Sequence, residues 1–284
     1  MSISIIGKAI GGNFMRFLDL AKTRRSVRTF DGKGLDEAVL NELKEYAEDI
    51  KNPFGVDISF RFLEAGEHKL SSPVLAGEKY YVSAVARKEP HVEEAYGYSF
   101  ETLLMRAHEM GLGTVWIGGT MPRDKFEAAS QLRDGEIMPC MSPLGVPAKK
   151  MSIKESLMRK GVQADRRLRF EDMFFEGDFA SPLTEERAAA FSVRDALLSV
   201  QCAPSAVNKQ PWRVVINVNK AYFYEKHDKG LSAAQYDLQR IDVGITMYHF
   251  EAQLKSEGKT PVVSFEAPAI DVPDKMDYVA TYTF

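Results

Sequence analysis

Two cysteines, Cys140 and Cys202, stand far apart in a chain of 284 residues with no Cys-x-x-Cys spacing, which leaves nothing from which to build a disulfide framework or a zinc ribbon. Ligand spacing is also missing from the five histidines, at 68, 91, 108, 227 and 249. No metal site is expected, and His108 and His249 are expected on helix surfaces. The chain lacks an excess of basic charge: a formal net charge of -3 argues against nucleic-acid binding, which needs a broad basic face to displace counterions. No apolar run approaches the roughly 20 residues of a membrane span. The apolar stretch from Ile3 to Ile10 is broken by Gly7 and Lys8 and reads as a docked arm. With no secretory leader and no Asn-x-Ser/Thr sequon, a cytoplasmic location is the default. Gly258-Lys259-Thr260 is not a phosphate loop, because Gln253 stands where the first glycine belongs.

What is present is an ordinary globular composition, 45% hydrophobic and 27% charged, in a chain long enough to bury roughly 75% of its unfolded surface. Phe100, Leu103, Leu104 and Ala107 form the i, i+3, i+4, i+7 stripe of a helix over 97–110, and Gly111 follows where a left-handed cap belongs. Thr114 to Ile117 is a short β-prone run. A shift of 147 residues repeats the pattern: Gly244 for Gly97, Met247 for Phe100, Phe250 for Leu103, Leu254 for Ala107, Gly258 for Gly111, then a strand over 261–265.

Upstream, strands are expected over 54–63 and 210–216, with Arg61-Phe62 aligning on Arg213-Val214 at a shift of 152. Helices are expected before them over 35–50 and 184–200, each with acidic residues in its first turn. A final strand or an extended tail is expected over 277–284. The chain therefore reads as α+β, two tandem repeats of helices and antiparallel strands, 1–180 and a shorter 181–284, divided near Phe179-Ala180-Ser181-Pro182. Chance similarity of two helix-then-strand units is the competing reading.

Two segments carry chemistry. Arg24-Arg25-Ser26-x-Arg28-x-Phe30 offers forked cations and a hydroxyl suited to a phosphate, although paired arginines are often only solvated surface charge. The second segment, Ala203-Pro204-Ser205-Ala206-Val207-Asn208-Lys209-Gln210-Pro211-Trp212, combines a stiffened turn, small side chains and an amide. A buried turn before a strand accounts for its Gln210-Pro211-Trp212 end but not for 204–208.

Together these segments resemble the nitroreductase family of FMN enzymes. The resemblance implies a nitroreductase-like fold in which the two repeats form an intrachain pseudo-dimer. It implies that Arg24, Arg25 and Ser26 hold the FMN phosphate and that Arg28 approaches the pyrimidine edge of the flavin. Gly118 and Gly119 would bring backbone amides near flavin N5, and Arg167 and Arg169 would return to the phosphate. Pro204, Ser205, Ala206 and Asn208 would reach the flavin from the other repeat.

The first-half counterpart of that loop, Asn52-Pro53-Phe54-Gly55-Val56-Asp57, lacks the Ser, Asn and Gln-Pro-Trp elements, and Arg24-Arg25-Ser26 maps onto Phe175-Glu176-Gly177. One composite FMN site per chain is therefore expected. The implied activity is an oxidoreductase passing electrons from NADH or NADPH through the flavin to a small organic acceptor, nitroaromatic or quinone-like, with no catalytic side chain because the flavin carries the chemistry. The alternative is a flavin-binding, sequestering or regulatory pseudo-dimer without turnover. The expected partner is a small-molecule substrate, with no nucleic acid or membrane, for a monomer that leaves room for further self-association.

Overall fold

The computed structural model describes residues 16–228 and 235–284, so the arm expected over 3–10 lies outside the described residues. Helices α1 (Phe17–Thr23) and α2 (Glu37–Glu48) lead into strands β1 (Ile58–Glu64) and β2 (Tyr80–Arg87). The long α3 (Val92–Glu109), α4 (Arg123–Ala129), β3 (Glu136–Ile137) and β4 (Met141–Leu144) follow. Next come α5 (Ile153–Gly161), α6 (Phe170–Met173), β5 (Phe174–Glu176), α7 (Glu185–Ala190) and α8 (Arg194–Cys202). The chain closes with β6 (Trp212–Asn217), β7 (Lys220–Lys226), α9 (Leu238–Ser256), β8 (Val262–Ser264) and β9 (Met276–Thr283).

Two sheets result. In the first, β2 pairs antiparallel with β1 on one side and with β3 and β4 on the other. The second has the order β5-β6-β7-β9-β8, antiparallel except for the parallel β5–β6 pair. Each sheet has its own apolar core, and the long helices α3 and α9 lie between them. Both helices are buried on most faces, which is what a central helix requires.

The helices meet where the sequence places its matched glycines. A Cβ on Gly97 would overlap the Ile241 carbonyl oxygen and lie 2.9 Å from Ile245 N. One on Gly244 would overlap the Glu94 carbonyl oxygen. Each glycine faces backbone, which cannot rotate away as a side chain could.

Three expectations are refined by the structure. The helix expected over 184–200 is two helices, parted where Ser192 takes φ 55°. Thr114 and Ile117 make isolated bridges, to Ser26 and Met141, and no continuous ladder. The helix expected over 97–110 starts earlier, at Val92, and Gly111 follows it at φ 83°.

Gly97→Ala and Gly244→Ala should each cost about 1–3 kcal/mol or more by overpacking. Gly161→Ala, with nothing within 4 Å of the added carbon, should stay within about 0.5 kcal/mol of the parent. Urea unfolding of the three variants checks this, and a parent-like Gly97→Ala would mean that the helices do not touch there.

Candidate functional site

Residues 24–30 leave α1 as an extended segment laid across the first half. Val27 N–H donates to the Thr114 carbonyl at 2.9 Å and Phe30 N–H to that of Ala76 at 2.8 Å. Glycines make room for it: a Cβ on Gly113 would lie 2.8 Å from Val27 Cγ1, and one on Gly145 would lie 2.9 Å from Phe30 Cδ1. Ser26 is held there by its backbone bridge to Thr114.

This path turns Arg24 and Arg28 inward. The Arg24 side chain is only 6% exposed, and its Nε stands 4.0 Å from Glu101 Oε1, too far for a hydrogen bond. Arg24 Nε, Arg28 Nε and Arg28 Nη1 are all buried without an acceptor. Two further guanidiniums stand close by, Arg159 on α5 and Arg167 beyond it. Burial pushes Arg24 below the usual arginine range, Glu101 opposes this, and the Arg159 charge adds to it. Arg28 is lowered by burial against Glu155, with Arg159 again adding. Arg167 is lowered by burial and then by Arg24. Buried donors without acceptors, gathered among mutually repelling cations, are what an anion with several acceptor oxygens would relieve.

Arg25 is otherwise engaged. Its Nη1 donates to Glu155 Oε1 at 2.9 Å, and Thr29 Oγ1 donates to Glu155 Oε2 at 2.7 Å. Glu155 lies in the first turn of α5, N-capped by Ser152, so Arg25 and Thr29 fasten α5, and Arg159 on it, to the extended segment. Arg169 is 76% exposed and lies 3.6 Å from Glu171, and none of its contacts joins it to the arginine group.

The Ala203–Trp212 segment meets the residues that follow α5. Asn208 Nδ2 donates to the carbonyls of Gln163 (2.7 Å) and Arg166 (3.0 Å), and Leu168 N–H donates to Gln210 Oε1 at 3.0 Å. Arg167 Nη2 reaches the Cys202 carbonyl at 3.4 Å. The loop is tightly wound, with Val207, Asn208 and Gln210 at φ of 44°, 59° and 53°. Ser205 Oγ accepts the Gln210 N–H at 2.9 Å, and half-buried Pro204 leads into the turn. Ala206 N–H donates to the carboxylate of Asp242 on α9 at 2.9 Å. Burial raises the Asp242 carboxyl well above its usual range, and the Asp242 charge in turn adds to the rise of buried Cys140. Gly118 comes next to Cys140, its added Cβ 3.2 Å from Sγ, while Gly119 faces open space. The structure therefore sets the arginine group beside the loop, and the loop, through Asp242 and Cys140, beside Gly118.

Sequence reasoning missed Arg159, Asp242 and Glu101, whose importance arises from contacts across the fold and leaves no local pattern. Glu101 on α3 is fully buried; it accepts from Trp116 Nε1 at 2.7 Å and meets His249 Nε2 at 3.1 Å. His249 is fully buried between the halves, which corrects the expectation of a surface position. Its Nδ1 lies 2.9 Å from the Ser199 carbonyl, so that nitrogen carries a hydrogen, and the contact with Glu101 shares a further proton. His108 is half-buried and meets Thr23 Oγ1 at 2.9 Å. Away from this region, ligand atoms of Glu225, His227 and Asp237 lie within 4.8 Å of one another. Arg240 already supplies positive charge there, its Nε 2.6 Å from Glu225 Oε2. Among the described residues, no helix is long and apolar enough to cross a membrane.

Two largely antiparallel sheets around a pair of central helices define a nitroreductase-like fold. Residues 17–254 match the family described as "Putative TM nitroreductase", and the chain belongs to it. The crystal structure of a putative nitroreductase from Thermotoga maritima MSB8 superposes with a TM-score of 0.61 at 16% identity, covering 99% of this chain and 97% of that one. An FMN-dependent nitroreductase from Clostridium difficile R20291 is 18% identical over 50% of this chain and 94% of its own, with a TM-score of 0.40. Oxidized iodotyrosine deiodinase bound to FMN and 3-iodo-L-tyrosine is 19% identical over 48% of this chain and 92% of its own, also with a TM-score of 0.40. No curated protein matches the sequence.

Glu101 gives a pH-dependent test. Burial alone would raise its carboxyl, but His249, Arg24 and the Trp116 N–H outweigh burial and hold it below the usual carboxylate range. Its ionisation therefore contributes stability that is complete above about pH 4.3 and is lost as pH falls through the lowered folded value. Glu101→Gln should cost about 3–5 kcal/mol at neutral pH. The gap in melting temperature between parent and variant should narrow below about pH 4, and a constant gap would remove the buried ionised carboxylate from this account.

Proposed function

We propose that this protein binds one FMN where two repeats, 1–180 and 181–284, meet, and that it is an FMN-dependent oxidoreductase using NADH or NADPH to reduce a small organic acceptor. The observation that carries this reading is the set of buried arginine donors without acceptors, Arg24 Nε with Arg28 Nε and Nη1. They suit a phosphate, and family membership supports the flavin reading.

In this proposal Arg24 and Arg167 hold the phosphate with help from Arg159, and Ser26 lines the pocket. The free nitrogens of Arg28 meet negative charge on the pyrimidine side of the ring. Arg25 acts by holding α5 through Glu155, and Asn208 by holding the Gln163 and Arg166 carbonyls, so both are positioning residues. Pro204, Ser205 and Ala206 form the small-residue wall, and Asp242 fixes it by accepting the Ala206 N–H. Gly118 and Gly119 border the far end, while exposed Arg169 adds only to the positive field. When bound, FMN supplies the two-electron chemistry, accepting hydride from the nicotinamide and returning electrons to an acceptor such as a nitroaromatic or quinone. The chain supplies orientation and positive charge, and no side chain is needed as a nucleophile.

Reconstitution should give one FMN per chain, with a visible flavin spectrum that bleaches anaerobically with NADH or NADPH and recovers on adding an acceptor. Arg24→Ala should weaken FMN by about 1.5–3 kcal/mol, the range for a lost charged hydrogen bond. Arg169→Ala should lose at most a few tenths. Bound flavin that neither nicotinamide reduces would leave a flavin-binding protein without turnover, and failure to bind FMN at all would overturn the proposal.

A further inference from the structure

The two sheets differ at one edge. In the second, β6 is covered by β5 and α6, and Trp212, Val214 and Ile216 are all fully buried. In the first, the outer edge of β1 carries no strand among the described residues, and Ile58, Phe60 and Phe62 are only half-buried. The Arg61-to-Arg213 alignment makes Phe60 the counterpart of Trp212, and Phe62 that of Val214.

Backbone direction agrees with that alignment. Ala65 N–H donates to the Lys79 carbonyl, so residues 59, 61 and 63 face β2 and the backbone groups of Ile58, Phe60, Phe62 and Glu64 face outward. In the second half Gly177 N–H donates to the Ile216 carbonyl, so 212, 214 and 216 face the covering strand. The outward groups of Phe62 and Glu64 are thus the counterparts of those that β5 satisfies on Val214 and Ile216, while the Phe60 carbonyl accepts from Arg61 Nη1 at 3.1 Å as the Trp212 carbonyl accepts from Arg213 Nη1. Beside them lies a groove of about 680 Å³ between β1 and α2, bordered by Lys44, Lys51, Phe60 and Phe62.

The covering segment also shows what the groove selects. Phe174 pairs opposite Val214, and Asp172, two residues earlier, lies close enough to Arg213 to favour its charge. Arg61 holds the place of Arg213 on β1, and with exposed Lys44 and Lys51 against exposed Glu48 and Asp57 the groove carries a net positive charge.

We infer that the β1 edge is a docking site for an extended segment of a partner protein. Its strand runs parallel to β1 with an aromatic side chain opposite Phe62, and a helical turn before that strand, as α6 stands before β5, carries an acidic residue two positions earlier. Main-chain hydrogen bonds to Phe62 and Glu64 give affinity, and the aromatic and acidic positions give selectivity. An exposed strand edge left uncovered is otherwise a site of aggregation. The inference is independent of the flavin reading.

The probe is a labelled peptide of this chain's own residues 169–178, followed by fluorescence anisotropy with the full chain. It should bind saturably, and Arg61→Glu should weaken it by about tenfold or more, equal to about 1.4 kcal/mol. A peptide with Lys in place of Asp172 should recover most of that loss on the Arg61→Glu protein and bind the parent worse. N-methylation at Phe175 and Gly177, whose amides face the neighbouring strand, should abolish binding, whereas at Glu176, whose N–H turns away to Ser181, it should not. A thermal melt matching the parent keeps the Arg61→Glu result interpretable. The inference is overturned if the peptide does not bind, if Arg61→Glu and the charge swap have no effect, or if sedimentation shows a dimer that Arg61→Glu dissolves, which would make a second copy the occupant.

Discussion

The backbone contact between α3 and α9 at Gly97 and Gly244 is the constraint from which the rest of the arrangement follows. Because neither position has a side chain, the helix backbones touch, and residues around the crossing lose water from nearly every side. Polar groups buried there must find partners in the opposite half. Glu101 meets His249, and Glu94 meets Arg240 at 3.5 Å. The crossing also seats α1 in the second half, where Leu18 N–H donates to Gln253 Oε1 at 2.7 Å and Arg16 meets Asp195 at 2.8 Å. Arg24, next after α1, is thereby delivered to the boundary between the halves.

The crossing is nearly symmetric, yet the chemistry beside it is not. The shift of 147 that carries Gly97 onto Gly244 carries Glu101 onto Tyr248 and Thr102 onto His249. On one side a buried carboxylate faces a histidine, an indole N–H and an arginine. On the other, Tyr248 packs edge-on against Tyr98 and Phe17. The aromatic side gains stability from apolar burial, and the polar side carries the desolvation cost of charged groups. That imbalance leaves the buried ionic groups on one side of the crossing.

Much of the fold was legible because it rests on local periodicity: the α3 stripe, the Gly111 and Gly258 caps at φ 83° and 80°, and the repeat that aligns Gly97 with Gly244, which the structure shows to be where the helices cross. Local pattern failed where distant chain decided the outcome. Ser192 breaks a continuous acidic-then-apolar pattern by taking a left-handed conformation that its composition does not announce. His249 has a surface residue's polarity, but it is buried because Glu101 and Ser199 supply partners from other helices. Arg25 and Asn208 have side chains suited to a ligand, yet their hydrogen bonds run to α5 and the residues just after it. Residue type fixes what a side chain can bind, and the fold decides whether it is free to do so.

The same stretch, 153–176, explains both the gathering of buried arginines and the difference between the sheets. Its first part brings Arg159 and Arg167 to Arg24, and its last part lays β5 along β6. Glu155 ties its beginning to Arg25, and Leu183 N–H donating to the Phe174 carbonyl at 2.9 Å ties its end into the second half. No described segment does either job on the opposite side, where the counterpart of Arg24 is Phe175, itself a residue of β5. Arginines could not gather around that position without displacing the strand that covers β6. An arginine cluster on one side and an open edge on the other are thus two consequences of a single crossing segment.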